Sequence, residues 1–327
     1  MIQEIRIKNY LSFRDEVVLS FEATKDTTFE ECQVVNVTPK VRLLRFALIY
    51  GANASGKSNL LNAMDFLRDF WFDKKSDIDE ETGVVPFLLD TETPNEPSEF
   101  NIKFFVGDKR YWYALVLDDK QVIKEDLYVY NSVQPSLVFS RELDGTASLI
   151  KLNASLVKAN ATIVEQLNVK CLSNMSFFAA RNQVNCSLAY IDEVRDWMKN
   201  NMMPIIQPGT RMFEYAGKQM EKNVELKAYI LDFVHKADYN ITDVYTEREK
   251  VPIPDIVKAS IMEDKDIPEK AKEKMLADNA LERLRTDFQH TVKNKRGEEN
   301  YRLPNSLQSE GTKRTFGIEA AIYEAIK

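Results

Sequence analysis

Hydrophobic and polar positions alternate at the start of the chain. Ile2, Ile5 and Ile7 have charged neighbours, and Val17, Val18, Leu19 and Phe21 follow a polar break. The pattern predicts two short strands joined by a turn over 12–16. A denser apolar run over 43–50 has the character of a strand buried on both faces. Further on, Leu60, Met64, Leu67 and Trp71 recur at helical spacing and make one apolar stripe. Period two returns from about residue 99 to 140. Phe100, Ile102, Phe104 and Val106 form one face, Tyr111, Tyr113, Leu115 and Leu117 a second, and 122–130 a third, with turns at Gly107-Asp108 and Asp118-Asp119. This reads as an antiparallel meander whose aromatic side chains fill a core and pair across strands.

Residues 155–237 are predicted helical, most clearly over 190–203 and 225–237, and 241–248 reads as a strand. The proline-bearing, charged stretch 252–266 reads as a surface loop, and 268–285 as a helix with Pro268 near its start. Segments 288–293 and 300–303 form a hairpin around Lys295-Arg296-Gly297, and a last apolar-periodic helix passes through Ile318, Ile322 and Ile326. No repeat is present, and no heptad pattern runs long enough for a coiled-coil arm.

The 327 residues suffice for about two domains. A composition of 44% hydrophobic and 29% charged residues excludes disordered and collagen-like classes. The net charge of -7 argues against a surface coated in basic side chains for nucleic acid. Lys293, Lys295 and Arg296 are read as an exposed hairpin tip in preference to a DNA phosphate contact. Cys32, Cys171 and Cys186 lack the paired spacing of zinc or disulfide frameworks and read as reduced thiols. The N-terminus has no apolar signal core, and no stretch reaches a membrane span, so a cytoplasmic protein without membrane contact is expected.

Glycine is scarce, at ten residues, which makes Gly51-Ala52-Asn53-Ala54-Ser55-Gly56-Lys57-Ser58 conspicuous. It matches G-x-x-x-x-G-K-[ST] between an apolar run and an amphipathic helix, the setting this motif requires. Glycines let successive backbone N–H groups converge on a phosphate, and the helix N-terminus adds its dipole. Gly51, Asn53, Ala54, Ser55, Gly56, Lys57, Ser58 and Asn59 are therefore the candidate ATP-binding residues. Lys57 is expected at the β- and γ-phosphates, and the Ser58 hydroxyl at Mg²⁺. A second segment, Leu307-Gln308-Ser309-Glu310-Gly311-Thr312-Lys313-Arg314, opens the last helix. Alone it reads as a helix start capped by Ser309 or Thr312. With a phosphate loop upstream, Ser309, Gly311 and Thr312 become candidates for a second phosphate-binding surface.

Together with the opening Ile5-Arg6-Ile7-Lys8-Asn9-Tyr10-Leu11-Ser12-Phe13, these segments resemble the RecF/SMC-like branch of the ABC ATPases. The closest likeness is to AAA-type, ABC-like ATPases of bacterial anti-phage abortive-infection systems, relatives of the OLD nucleases. The resemblance implies an α/β P-loop NTPase with a mixed sheet, an antiparallel β-layer and a helical insertion. It implies an N-terminal ATPase lobe over 1–150, the insertion over 151–285, and the start of a second ATPase lobe over 286–327. It further implies Mg²⁺-dependent ATP hydrolysis and a homodimer in which two ATP molecules are sandwiched, each P-loop facing the partner's signature helix. An effector nuclease is a candidate partner.

The family places Walker B, D-loop and switch histidine after the signature helix, so this chain is expected to be a fragment that binds ATP and turns it over slowly or not at all. The alternative is an ATP-gated scaffold that sequesters an effector without turnover. Leu188-Ala189-Tyr190-Ile191-Asp192-Glu193 imitates a Walker B strand, but Tyr190, Val194, Trp197 and Met198 keep helical spacing, so a helix is predicted. Gln183 is likewise not taken as a Q-loop residue. Asn294-Lys295-Arg296-Gly297 lacks the aspartate that guanine selection uses, which sets aside a GTPase.

Overall fold

The alternation at the N-terminus and over the meander builds a seven-stranded sheet. Its strands are β1 (Ile2–Lys8), β2 (Val17–Ser20), β5 (Ser98–Val106), β6 (Lys109–Leu117), β7 (Val122–Tyr130), β8 (Ser136–Asp144) and β9 (Ala147–Leu152), in the order β2-β1-β5-β6-β7-β8-β9. Cross-strand partners such as Phe100 with Leu115, Ile102 with Tyr113 and Phe104 with Tyr111 put the alternate apolar residues on one face. The computed structural model describes residues 1–326 apart from 208, 211, 238, 265, 266, 278 and 279, and does not describe the side chains of 274, 275 and 281–283. All pairings among the described strands are antiparallel. The α/β class holds, with a large antiparallel sheet and helices.

The chain divides into two compact units, Met1–Ile205 and Ile206–Lys327. In the first, a short helix α1 (Glu30–Gln33) and a hairpin of β3 (Val34–Thr38) and β4 (Val41–Leu44) precede α2 (Lys57–Phe70). Helix α2 buries Leu60, Ala63, Leu67 and Phe70 on the seven-stranded sheet, and burial of Leu67 or Phe70 contributes about 2 kcal/mol. Phe66 stacks on Phe100 at 5.2 Å, and the following Trp71 meets Tyr113 edge-on at 5.6 Å. Helices α3 (Ala161–Lys170), α4 (Phe177–Arg181) and α5 (Ile191–Asn201) join the same core through Leu167, Phe177, Phe178, Val194 and Met198. The sheet and the first helices after residue 150 thus share one core, and the division between units falls inside the expected 151–285 insertion.

A fully buried ion pair crosses that core. Arg141 Nη1 lies 3.2 Å from Glu125 Oε2 and also donates to the Met175 carbonyl, while Nη2 donates to the carbonyls of Leu172 and Ser173. Glu125 accepts from the hydroxyls of Tyr113 and Ser176 and from the Phe177 amide. Each charge is satisfied several times over, as burial requires.

In the second unit, α6 (Phe213–Lys222), α7 (Val224–Lys236) and α10 (Glu310–Ile326) back a sheet of β10 (Asp243–Pro252), β11 (Ala280–Asn294) and β12 (Gly297–Pro304). Helices α8 (Asp255–Glu263) and α9 (Glu269–Ala277) lie between β10 and β11. Phe288 meets Phe316 edge-on at 4.9 Å in this core.

Four expectations change here. The run 43–50 is not a strand buried on both faces: β4 ends at Leu44, and Phe46, Leu48 and Tyr50 are 71, 75 and 87% exposed. No described strand bonds to 46–50, so its apolar side chains have no second layer. The predicted loop over 252–266 contains α8. The predicted helix over 268–285 is α9 followed by the start of β11, because the ladder to β10 aligns Leu284 with Arg248 and Thr286 with Thr246. On α10 the buried residues include Phe316, Ala320 and Tyr323, whereas Ile318, Ile322 and Ile326 point outward. Gly317 explains the roll of this helix, since a Cβ there would meet Met212 Cβ at 2.5 Å.

Candidate functional site

The site starts from the way the sheet holds α2. With its apolar stripe fixed on the sheet, the N-terminus of α2 is left at the surface, preceded by the glycine-bearing loop 51–56. Gly56 caps the helix at φ +87°, a left-handed conformation that favours glycine, and Ala54 also has positive φ, at 61°. The first amides of a helix have no carbonyl within it to bond, no side chain caps this end, and the first turn carries no carboxylate. Helix dipole and uncapped amides therefore favour an anion just beyond Gly56.

Lys57 is folded over the loop. Its ammonium donates to the carbonyl of Ala52 at 2.6 Å and of Gly51 at 3.0 Å. This holds a cation at the mouth of the loop, in reach of any anion bound there. Gly51, Asn53, Ala54, Ser55 and Ser58 are exposed. Asn59 is turned away: its Nδ2 donates to Ser12 Oγ at 2.9 Å and its Oδ1 accepts from Asn62. The wall behind the loop is the turn after β1, where Phe13 and Ser12 press against Gly56. Sequence reading takes this turn as part of the family resemblance but assigns none of its residues to the site. Its signal is faint: an Asn, the residue type that best tolerates left-handed backbone after Gly, at the end of an alternating strand.

Ser309, Gly311 and Thr312 lie in the other unit, at the start of α10. Ser309 Oγ accepts from the Thr312 amide at 3.0 Å and is 2.8 Å from Thr312 Oγ1, which makes it the cap of the helix. Thr312 is buried, Lys313 pairs with Glu310, and Gln308 Nε2 is 2.8 Å from His290 Nε2.

Asp192 and Glu193 lie in the first turn of α5, as the periodicity predicts. Asp192 pairs with Arg181 at 2.8 Å and accepts from the Leu188 amide; Glu193 accepts from Lys109 at 2.9 Å and from the Tyr111 hydroxyl at 3.0 Å. Both carboxylates are thus engaged: Glu193 ties α5 to β6 of the sheet, and Asp192 ties it to Arg181 of α4. Gln183 Nε2 approaches the Ala179 carbonyl at 3.4 Å, and Lys295 and Arg296 sit at the exposed turn between β11 and β12.

Residues 46–151 match the family described as AAA domain, putative AbiEii toxin, type IV TA system. The match spans the loop, α2, strands β5 to β8 and all but the last residue of β9, about a third of the 327 residues. It supports an AAA/ABC-like P-loop family and an ATP-binding function for this part of the chain. No curated protein matches the chain. The segment around Ser309 lies outside the matched span. No described helix is long and apolar enough to cross a membrane.

Proposed function

We propose that this protein binds ATP with Mg²⁺ at Gly51–Ser58 and uses it to drive homodimerisation, with Ser309, Gly311 and Thr312 of one protomer completing the site of the other. The observation that carries the reading is the pairing of an uncapped helix start with Lys57 held across the loop carbonyls. A polyphosphate fits this arrangement. The loop amides and the dipole take its charge, and Lys57 can exchange neutral carbonyls for phosphate oxygens, a charge-assisted bond of about 1.5–3 kcal/mol. Mg²⁺ takes few protein ligands when phosphate oxygens and water supply the rest, and the exposed Ser58 hydroxyl suits that role. Among the described residues no group of three or more His, Cys, Asp or Glu gathers for a metal. When bound, the ion neutralises phosphate charge during phosphoryl transfer.

Hydrolysis belongs to the same reading, as does a role in phage defence or DNA maintenance alongside an effector nuclease. The second reading, an ATP-gated scaffold without turnover, is favoured by the engagement of Asp192 and Glu193 in ion pairs, which keeps them from orienting a water.

Calorimetry with Mg²⁺ and ATP is the test of binding. The parent is expected to bind, and Lys57→Ala to lose about a hundredfold or more in affinity with an unchanged melting profile. Equal binding by the two proteins overturns the site. For the dimer, sedimentation with a non-hydrolysable ATP analogue should show assembly of the parent and none for Ser309→Arg. Identical profiles would return Ser309 to a helix cap only.

A further inference from the structure

The turn that backs the phosphate loop is strained, and its strain is pinned from behind. Asn9 and Leu11 both have left-handed backbone, at φ 51° and 49°, a region that residues other than glycine populate sparsely and that must be held by the surroundings. It closes through reciprocal bonds between Tyr10 and Phe13, at 2.9 and 2.8 Å. What holds it is the side chain of Asn9, 1% exposed. Its Nδ2 donates to the carbonyls of Thr93 at 2.7 Å and Glu96 at 2.8 Å, and its Oδ1 accepts from the Phe87 amide at 3.0 Å. The Leu11 amide bonds to the Val85 carbonyl at 2.9 Å, which ties the turn to the same loop.

On its other side the turn meets α2 along one helical stripe. Phe13 and Ser12 cover Gly56: a Cβ there would lie 2.8 Å from Phe13 Cε1 and from Ser12 Oγ. Ser12 Oγ accepts from Asn59 at 2.9 Å. Tyr10 donates to the Asn62 carbonyl at 3.3 Å, and its ring lies 5.7 Å from that of Phe66. Positions 56, 59, 62 and 66 follow the three- and four-residue steps of one helix face. Residues 10, 12 and 13 therefore fix both the rotation of α2 and the place of its left-handed cap.

We propose that Asn9 is the positioning residue of the phosphate loop: its buried amide holds the 9–14 turn in the strained form that sets Gly56 and the first amides of α2 for a phosphate. The inference rests on the ATP-binding reading above. Without the Asn9 bonds the turn relaxes toward right-handed backbone, Phe13 and Ser12 withdraw from Gly56, and the loop samples arrangements whose amides no longer converge.

Three variants separate the elements of this role. Asn9→Gly keeps the left-handed backbone but loses the side-chain bonds. Asn9→Asp keeps the acceptor for Phe87 but faces two carbonyls with another acceptor. Asn9→Ala loses both. At a temperature where all are folded, ATP affinity by calorimetry should fall about tenfold for Asn9→Asp and Asn9→Ala, and less for Asn9→Gly. A variant in β9, Ile150→Val, lowers stability away from the loop and should leave affinity within about twofold of the parent.

Hydrogen exchange of the 51–58 amides without nucleotide should be faster in the Asn9 variants and parental in Ile150→Val. If the Asn9 variants do not fold, Ser12→Ala, which removes at an exposed position the hydroxyl that accepts from Asn59 and lies against Gly56, should weaken ATP binding about threefold. Parental affinity or exchange in folded Asn9 variants overturns the inference, as does parental affinity in Ser12→Ala. A parent that fails to bind ATP sinks the ATP reading instead, and the nucleotide-free exchange then decides whether Asn9 braces the loop.

Discussion

The ring of Phe13 occupies the space that a side chain on Gly56 would need, with Cε1 2.8 Å from the point where a Cβ would stand. The phosphate loop is therefore packed against its neighbour as tightly as a core, although most of its residues are exposed.

Gly56→Ala follows from this contact. The methyl group collides with Phe13 and Ser12 on a residue at φ +87°, so loss of about 2–3 kcal/mol of stability is expected, together with loss of ATP binding. Urea denaturation and calorimetry check the two effects. A variant as stable as the parent would show that the turn yields without cost.

The Glu125–Arg141 pair should behave as a buried charge network. Glu125→Gln leaves the Arg141 cation without its counter-charge among otherwise neutral partners, and Arg141→Met leaves the buried Glu125 carboxylate without its cation and takes a donor from the Met175 carbonyl. Each is expected to cost roughly 3–5 kcal/mol by urea unfolding, and a change under 1 kcal/mol would refute the assignment.

Cysteine reactivity should divide by environment. Burial pushes the Cys171 thiol up to about 11, while Cys32 is exposed. A thiol reagent at pH 8 should modify Cys32 quickly and Cys171 only after unfolding, because the thiolate is the reactive form. Mass spectrometry of the native protein checks this, and early labelling of Cys171 would contradict the closed core.

Glu319 gives a pH signature. Burial on α10 raises its carboxyl above the ordinary value of 4.5, partly offset by the Tyr229 hydroxyl bond at 3.1 Å. The folded protein thus binds this proton more tightly than the unfolded chain. Its contribution to stability is complete below 4.5 and is lost as pH rises through the raised value. Glu319→Gln, which keeps an acceptor for Tyr229, should be more stable than the parent at pH 7, with the gap closing in acid. A gap of the same size at pH 4 and pH 7 would show that ionisation of Glu319 carries no cost.

The sequence by itself determined the elements that local periodicity specifies. Phe100, Ile102 and Phe104 alternate strictly, so only a strand can bury them together, and the meander lies where that pattern puts it. Leu60 and Leu67 with the G-x-x-x-x-G-K-S loop before them specify a helix whose start is exposed. Tyr190, Val194 and Trp197 keep Asp192 and Glu193 on a helix despite their resemblance to a strand end.

Tertiary structure decided what depends on cover and partners. An apolar run such as Phe46 to Tyr50 shows that burial would be favourable, but not which surface supplies it, and in this structure the run lies open. Helix-forming residues before Arg285 gave way to β11 because a ladder to β10 satisfies their backbone groups and local propensity is the weaker term. The outward turn of Ile318, Ile322 and Ile326 came from Gly317, whose missing side chain admits Met212. The role of Asn9 was invisible for the same reason. Its amide is satisfied by Thr93, Glu96 and Phe87, nearly ninety positions away at the furthest, and only the folded chain brings those backbone groups to one side chain.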